Sequence, residues 1–490
     1  MAIKLSARNL EAISTSIKTP GYKPSMLSAG IVHFGVGNFH RAHQAVYLDS
    51  LFDTGRNHDW AIVGAGVLPS DERMRRALAE QDYLTTVVEQ SSSRSNARVS
   101  GAMIDFLSPD NPTAIIRTLA NPAIRIVSLT ITEGGYFTDP ASGVFNTGNP
   151  EIMMDGANPE NPRTVFGLIV SGLKQRREAG IKPFTVMSCD NLVHNGVVAR
   201  NAVAGLAKLS DSEFSQWITD HVAFPNGMVD RITPATGDRE REILARDYGV
   251  EDNWPVFCED FIQWVLEDEF PAGRPELEHA GVQFVPDVTP YENMKIRILN
   301  GGHAVIAYVS GLLEIHFAHE AMKHQLIRGF LRKVVNEEII PVVPPVPDMD
   351  LHAYFAKIEE RFANHKMGDT IRRLCFNGSN RLPKFIIPSI ADRLKAGAGV
   401  TGLALESALW CRYCYGATES GKIIEPNDPN NERLASAAHA AKEDPAAWLN
   451  MEDIFGQTGR SEVFCKRFDF ILRAIWSQGV EAVMESYLEE

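Results

Sequence analysis

The sequence predicts an α/β Rossmann-type, doubly wound N-terminal domain followed by a mainly α-helical C-terminal domain. Three observations carry this. Short apolar, β-branched runs alternate with helical patterns up to about residue 288, the first run ends in a glycine turn, and from about residue 290 helical spacing dominates. Strands alternating with helices make a largely parallel sheet covered on both faces. At 490 residues the chain exceeds one ordinary core, and boundaries at 1–288 and 289–490 divide it in two.

Residues 30–37, GIVHFGVG, read as the first strand and its turn, and NFHRAHQAVYLDSLF follows with apolar positions spaced for a helix. Strand, Gly35-x-Gly37 and helix open a nucleotide-binding unit, in which the glycines let backbone amides approach a pyrophosphate. His40 replaces the third glycine of the fingerprint, which implies a wider crossing of helix and strand. His40, Arg41 and His43 crowd this turn, and Arg41 is placed to meet a phosphate. A second strand, WAIVGAGV, covers 60–67. The carboxylate that grips an adenosine ribose belongs just past its end, which selects Asp71 over Asp53. A carboxylate there repels the 2′-phosphate of NADP and favours NAD, although Arg73, Arg75 and Arg76 lie nearby.

Further strand patterns occur at 84–89, 99–107, 125–132 and 184–190, with helical patterns at 110–120 and 165–179. Open sheets bind ligands beyond the carboxyl ends of their strands. That marks two polar strand ends, Thr132-Glu133-Gly134-Gly135 and Cys189-Asp190-Asn191. In FPNGMVDRITP (224–234), Asp230 and Arg231 sit among apolar residues, a pair expected to brace a loop. The aromatic-rich run 254–270 is expected to be half buried, and 281–288 reads as a further strand.

In the second half, helical spacing covers 294–313, 318–336, 350–363, 390–415, 432–448 and 461–488. The proline-rich stretch 339–350 interrupts it as a connector. Residues 373–384, RLCFNGSNRLPK, read as a turn-rich basic loop with Arg373, Arg381 and Lys384. In the first helix, KIRILNGGH (295–303) carries an amine, a carboxamide and an imidazole. In an α-helix all three fall within about 140° of arc. Such a face suits a substrate carbonyl or alcohol; a solvated polar stripe is the alternative.

The net charge of −14 argues against an extended nucleic-acid surface or a polybasic membrane patch. No apolar run approaches about 18 residues, so a membrane span is not expected. The start lacks a signal-peptide pattern and the six cysteines are scattered, which points to reduced thiols in a cytoplasm. Cys411 and Cys414 lie in a helical run and read as structural. His316, His319 and His324 match no zincin pattern, and no metal is expected.

The segments GVGNFHRAHQA, SLTITEGGY, FTVMSCDN, FPNGMVDRITP, QWVLEDEF and YENMKIRILNGGH occur in this order. Together they resemble the long-chain polyol (mannitol) dehydrogenase family over essentially the whole chain. The resemblance implies zinc-independent, NAD-linked oxidation of a polyol to a ketose, D-mannitol to D-fructose foremost, in a cleft between the two domains. It also implies a small-molecule substrate and a monomer.

Residue by residue, the resemblance makes Lys295 the base, Asn191 and Asn300 the oxyanion-binding pair, and His303 the substrate-orienting group. Glu292 would pass the proton to solvent, with Glu133 as companion. Asp230, Arg373 and Arg381 fall on substrate-binding positions, and Gly35, Gly37, Phe39, Arg41, Asp71 and Glu133 form the cofactor-binding set. Departures from the family pattern are Asn38 for a glycine, Ser70 for an acidic residue, Gly302 for the serine of N-G-S-H, and Arg381 for a lysine. Gly301-Gly302 is expected to make room for ligands. Two alternatives remain: reduction of a keto-hexuronate, with Arg381 or Lys384 facing its carboxylate, and a non-catalytic nucleotide-binding protein.

Overall fold

Five parallel strands form the central sheet: β1 (Ala29–Phe34), β2 (Ala61–Ala65), β3 (Met103–Leu107), β4 (Ile126–Leu129) and β5 (Thr185–Ser188). The computed structural model describes residues 2–139 and 143–490, which divide into two units, Met1–Thr289 and Pro290–Glu490. The strand order is β3-β2-β1-β4-β5. Order therefore reverses between β1 and β4, the switch point at which such sheets bind ligands. Both sheet faces are covered, so adjacent residues of a strand enter different cores. Val32, Val127 and Val186 pack with Ile115 and Phe166, whereas Ile31, Ile126 and Met187 pack with Leu48 and Leu51.

The covering helices begin where side-chain caps allow. Asn111 accepts from Ala114 N at the start of α4 (Pro112–Ala120), and Thr164 accepts from Gly167 N at the start of α5 (Val165–Glu178). The helix expected after the glycine turn is broken at His43 into α1 (Asn38–Ala42) and α2 (Gln44–Phe52), before α3 (Asp71–Ala79). His43 has φ −119° and ψ −89°, and its Nε2 donates to the Gln263 carbonyl at 2.9 Å. The crossing at His40 is made by imidazole stacking: its ring lies 3.5 Å from that of His33 on β1, at 9°. His33 is held by Ser128 Oγ (2.8 Å) and Thr130 Oγ1 (3.0 Å), whereas both nitrogens of His40 are buried without a hydrogen-bond partner. Burial pushes His33 down to about 3. It also holds His40 well below the usual 6.5, with help from the charges of His33, Arg41 and His43.

Two strand expectations change. The run 84–89 is Thr85–Gln90, which joins a separate four-stranded sheet with Ser95–Ser100, Val256–Glu259 and Ile17–Lys18. The run 99–107 is two strands, parted at Gly101-Ala102, whose halves enter different sheets; Asp49 Oδ1 takes the Gly101 N–H at the break (3.2 Å). A third sheet pairs β6 (Gly227–Asp230) antiparallel with β7 (Gln263–Glu267), which runs parallel to β8 (Gln283–Val285). Apolar periodicity reports burial of a strand, not which sheet it joins.

The second unit is helical. It opens with α6 (Thr289–Met294), a wide π-helical turn (Lys295–Asn300) and α7 (Gly301–Leu312). Helix α7 is buried along nearly its whole length and packs against α8 (Gln325–Val334), α9 (Ile371–Leu374) and α10 (Thr401–Cys414). The basic stretch 373–384 is not a loop. It spans α9 and the helix Gly378–Phe385, separated by Asn377 at φ 58°. Asn-Gly stands at a helix start here because Asp428 takes the Ser379 N–H (2.8 Å) and hydroxyl (2.7 Å), a contact from 49 residues away. The expected helix 390–415 is two, Ile387–Lys395 and α10, with Gly397 at φ +67° between them; that at 461–488 divides at Gly479, φ +92°. Among the described residues no helix is long and apolar enough to cross a membrane.

Two outcomes follow. Gly35 has φ +91°, and a Cβ there would lie 2.0 Å from Thr130 O. Gly35→Ala should therefore cost at least about 2–3 kcal/mol in urea unfolding. For His40→Phe, stability at pH 7 should lie within about 1 kcal/mol of wild type, since no hydrogen bond is lost. A buried imidazole with a depressed pKa contributes stability that is present above about 6.5 and lost on acidification. The variant should therefore gain on wild type by about 1.4 kcal/mol per unit below that pH. Parallel pH profiles in urea unfolding would contradict this.

Candidate active site

The end of β1 is shaped by its neighbour. Thr130 N donates to Phe34 O (2.9 Å) and Thr130 Oγ1 to Gly35 O (2.7 Å), so the glycine turn lies against the end of β4. At Gly37 a Cβ would meet only Gly35 O, at 3.7 Å, which leaves the backbone open to a close-approaching group. Asp71 lies just past β2, and its Oδ2 accepts from Val67 N and Leu68 N, both at 2.9 Å. Phe39 is half buried and stacked on His43 at 4.8 Å. Arg75 and Arg76 both pair with Glu72 (2.7 and 2.8 Å), and Arg73 lies over Trp254. This turn, the open Gly37 backbone and the anchored carboxylate fit a dinucleotide.

Arg41 differs from its sequence expectation. Its side chain is buried, with Nε donating to Gly37 O (3.3 Å), Nη2 to Asn38 Oδ1 (2.9 Å) and Nη1 to Trp254 O. A guanidinium can satisfy three acceptors at once, and this one braces the turn from below. Asn38, in place of the usual glycine, supplies one of those acceptors and donates to Pro234 O (2.9 Å).

The ends of β4, β5 and β6 are tied by Asp190, marked in the sequence only as part of a polar strand end, and by Asn195, which the sequence did not single out. Asp190, only 8% exposed, accepts from Ile131 N (2.9 Å), Thr132 N (2.8 Å) and Tyr136 Oη (2.7 Å). Burial pushes its carboxyl up to about 6, while hydrogen bonds from Tyr136 and the two amides act in the opposite direction. Asn195 donates to Asp190 O (3.1 Å) and Gly227 O (2.8 Å) and accepts from Gly227 N (2.9 Å). The flanking candidates Glu133 and Asn191 are exposed, whereas Asp230 is buried at the end of β6. Arg231 does brace its surroundings, reaching Glu89 (2.7 Å), Ala42 O (2.6 Å) and Glu259 O. The only sequence signal for Asp190 was its strand-end position beside Asn191.

In the second unit, Lys295 and Glu292 are buried to 6% and 4% exposure, three residues apart and so on neighbouring parts of one helical face. The turn Lys295–Asn300 is π-helical, with Gly301 N bonded back to Ile296 O. A π-helical turn of this kind absorbs roughly one extra residue. Asn300 and His303 then behave like offsets four and seven from Lys295, which narrows the arc of the three side chains to about 60°. Arg297, on another side of the turn, is spent on Asp392 (2.6 Å) and Val342 O (3.0 Å).

His303 stacks on Phe362 (4.0 Å, 18°), and its Nε2 is buried without a hydrogen-bond partner, 4.0 Å from Asp369 Oδ2. Burial first, then the charges of Arg373, Arg381 and Arg361, hold the ring well below its usual range. It is neutral at pH 7. Asp369 is occupied by Arg373, in two bonds of 2.6 and 2.5 Å, so that exposed arginine is oriented from below. Arg381 directs Nη1 at Leu374 O and Phe376 O (both 3.1 Å). The glycine pair faces packing, not open space. A Cβ on Gly302 would make ordinary contact with Leu331 and Phe362 at 3.5 Å, and one on Gly301 would press on Phe385 O at 3.3 Å.

Known proteins resemble this chain across both units. Residues 29–279 match the mannitol dehydrogenase Rossmann domain, and 287–476 the mannitol dehydrogenase C-terminal domain. A mannitol 2-dehydrogenase of Cereibacter sphaeroides is 56% identical over 478 residues, 97% of this chain and 100% of that one. A mannitol 2-dehydrogenase of Aspergillus terreus is 40% identical over 99% of both chains. Among solved structures, a Pseudomonas fluorescens mannitol 2-dehydrogenase in ternary complex with NAD and D-mannitol has 42% identity, full coverage of both chains and a TM-score of 0.88. A substrate-free D-sorbitol dehydrogenase has 36% identity and a TM-score of 0.92, over 98% of this chain and 100% of that one. With both family domains matched and a relative of 56% identity along nearly its full length, the chain belongs to the mannitol dehydrogenase family.

Proposed function

We propose that this protein is an NAD-dependent polyol dehydrogenase that oxidises D-mannitol to D-fructose without a metal. The observation that carries the chemistry is the wide turn that gathers buried Lys295, Asn300 and neutral His303 on one face. The 56% identity to a mannitol 2-dehydrogenase supports the substrate, and the mannitol- and NAD-bound neighbour supports both ligands.

Bound NAD supplies the acceptor for the hydride that leaves the secondary carbinol carbon. The Gly35–Gly37 turn would hold its pyrophosphate and Asp71 its ribose. The alcohol proton passes to Lys295 Nζ. Only the neutral amine can take it. Glu292, equally buried one turn earlier, offers a carboxylate for the proton's exit. The amides of Asn191 and Asn300 donate to the oxygen as it gains charge, the polarisation that zinc provides in metal-dependent alcohol dehydrogenases. His303 Nε2 and Arg373 orient the remaining hydroxyls. Keto-hexuronate reduction fits less well, because Arg381 spends Nη1 on two backbone carbonyls.

The deciding experiment is an NAD-linked assay of D-mannitol, sorbitol, arabinitol and hexonates, with fructose and fructuronate in reverse. The highest kcat/KM is expected for D-mannitol and fructose; turnover of fructuronate alone would replace the reading. Lys295→Ala should lower kcat at pH 7 by about 10²–10⁴. NAD affinity, followed by fluorescence quenching, should change less than about threefold, and a near-normal rate would remove Lys295 as the base.

A further inference from the structure

Thr132 has φ 64° and ψ 164°, a backbone region populated essentially by glycine alone. A β-branched residue stays there only when its surroundings over-determine it. The N–H groups on this turn are restrained by one side chain, while the Thr132 carbonyl accepts from Gly135 N at 3.0 Å. The Asp190 carboxylate takes the N–H groups of both Ile131 and Thr132, and Tyr136 Oη anchors the same carboxylate while also bonding Ser188 Oγ at 2.5 Å. Both arms of this clamp lead into chemistry. The family resemblance assigns Glu133 to the cofactor and the amide of Asn191 to the oxyanion. The Asp190 carbonyl is in turn held by Asn195, which grips β6 three residues before Asp230.

We propose that Asp190 is a positioning residue: its carboxylate holds Thr132 in a glycine-type conformation and thereby fixes Glu133 and Asn191 on adjoining strand ends. The proposal rests on the polyol dehydrogenase reading. A buried carboxylate is a poor device for stability alone, because removing it from water offsets much of what its bonds contribute. It is a good device for fixing a geometry that the chain would otherwise leave.

The test is the isosteric Asp190→Asn, alone and combined with Thr132→Gly. The amide has one acceptor oxygen, so one of the two N–H groups loses its partner and the strained turn relaxes. Asp190→Asn should lower kcat on D-mannitol about 100-fold and weaken NAD binding, read by fluorescence quenching, about tenfold. Glycine adopts the Thr132 conformation without strain. The double variant should therefore recover to within about threefold of wild type in kcat and in NAD affinity, while its Tm stays at or below that of the single variant. Glycine also loosens the unfolded chain, so a merely structural role for Asp190 predicts no recovery.

The proposal is overturned if Asp190→Asn matches wild type within about twofold, or if the double variant is no better than the single. If the single variant does not fold, the double decides. Recovery of wild-type NAD affinity supports the clamp, and failure to fold or to bind overturns it. A wild-type protein inactive on every polyol overturns the proposed function instead, and NAD affinity across the variants still judges the clamp.

Discussion

The contact between Gly35 and Thr130 is the constraint on which the first unit is built. A Cβ at Gly35 would stand 2.0 Å from Thr130 O, so β1 can end and turn only as glycine, pressed against the end of β4. Those two strands flank the reversal in strand order, the one place where the connections diverge and leave a crevice. Around it lie the open backbone at Gly37, the carboxylate of Asp71 past β2, and the strained Thr132 beyond β4. The buried polar layer beneath, His33 stacked on His40 with Ser128 and Thr130, replaces the close glycine packing that the fingerprint normally supplies.

The second unit solves a different problem. In the proposed reaction Lys295, Asn300 and His303 act together, yet in an α-helix offsets of five and eight would spread them over more than a third of the circumference. One π turn corrects this by absorbing a residue, at the expense of regular helix geometry. Helix α7 tolerates the disturbance because it is buried between α8, α9 and α10. The same burial keeps His303 neutral, and Asp369 spends its charge on orienting Arg373.

Two roles were exchanged between sequence and structure. Arg41, beside the glycine turn, looked like a phosphate ligand, but its donors satisfy Gly37, Asn38 and Trp254. Trp254 lies 213 residues away, and no local pattern announces that partner. Asp190, marked only as part of a polar strand end, proved to be the anchor of two backbone amides across a strand boundary. In both cases the residue type was legible, and its partner was not. The basic stretch 373–384 shows the same limit: Asn-Gly and a proline suggest a turn, and a distant Asp428 makes it a helix start.

The sequence by itself determined the local and periodic features of this protein: the alternating first half, the helical second half, the glycine turn, the carboxylate past β2 and the KIRILNGGH face. These follow from the spacing of apolar residues and from the backbone preferences of glycine and proline, which act within a few residues. Tertiary structure alone decided which sheet each strand joined, where long helical patterns broke, that the lysine turn is wide, and which charged groups face inward. Those outcomes depend on hydrogen-bond partners and packing surfaces tens to hundreds of residues apart, where neither periodicity nor propensity carries information.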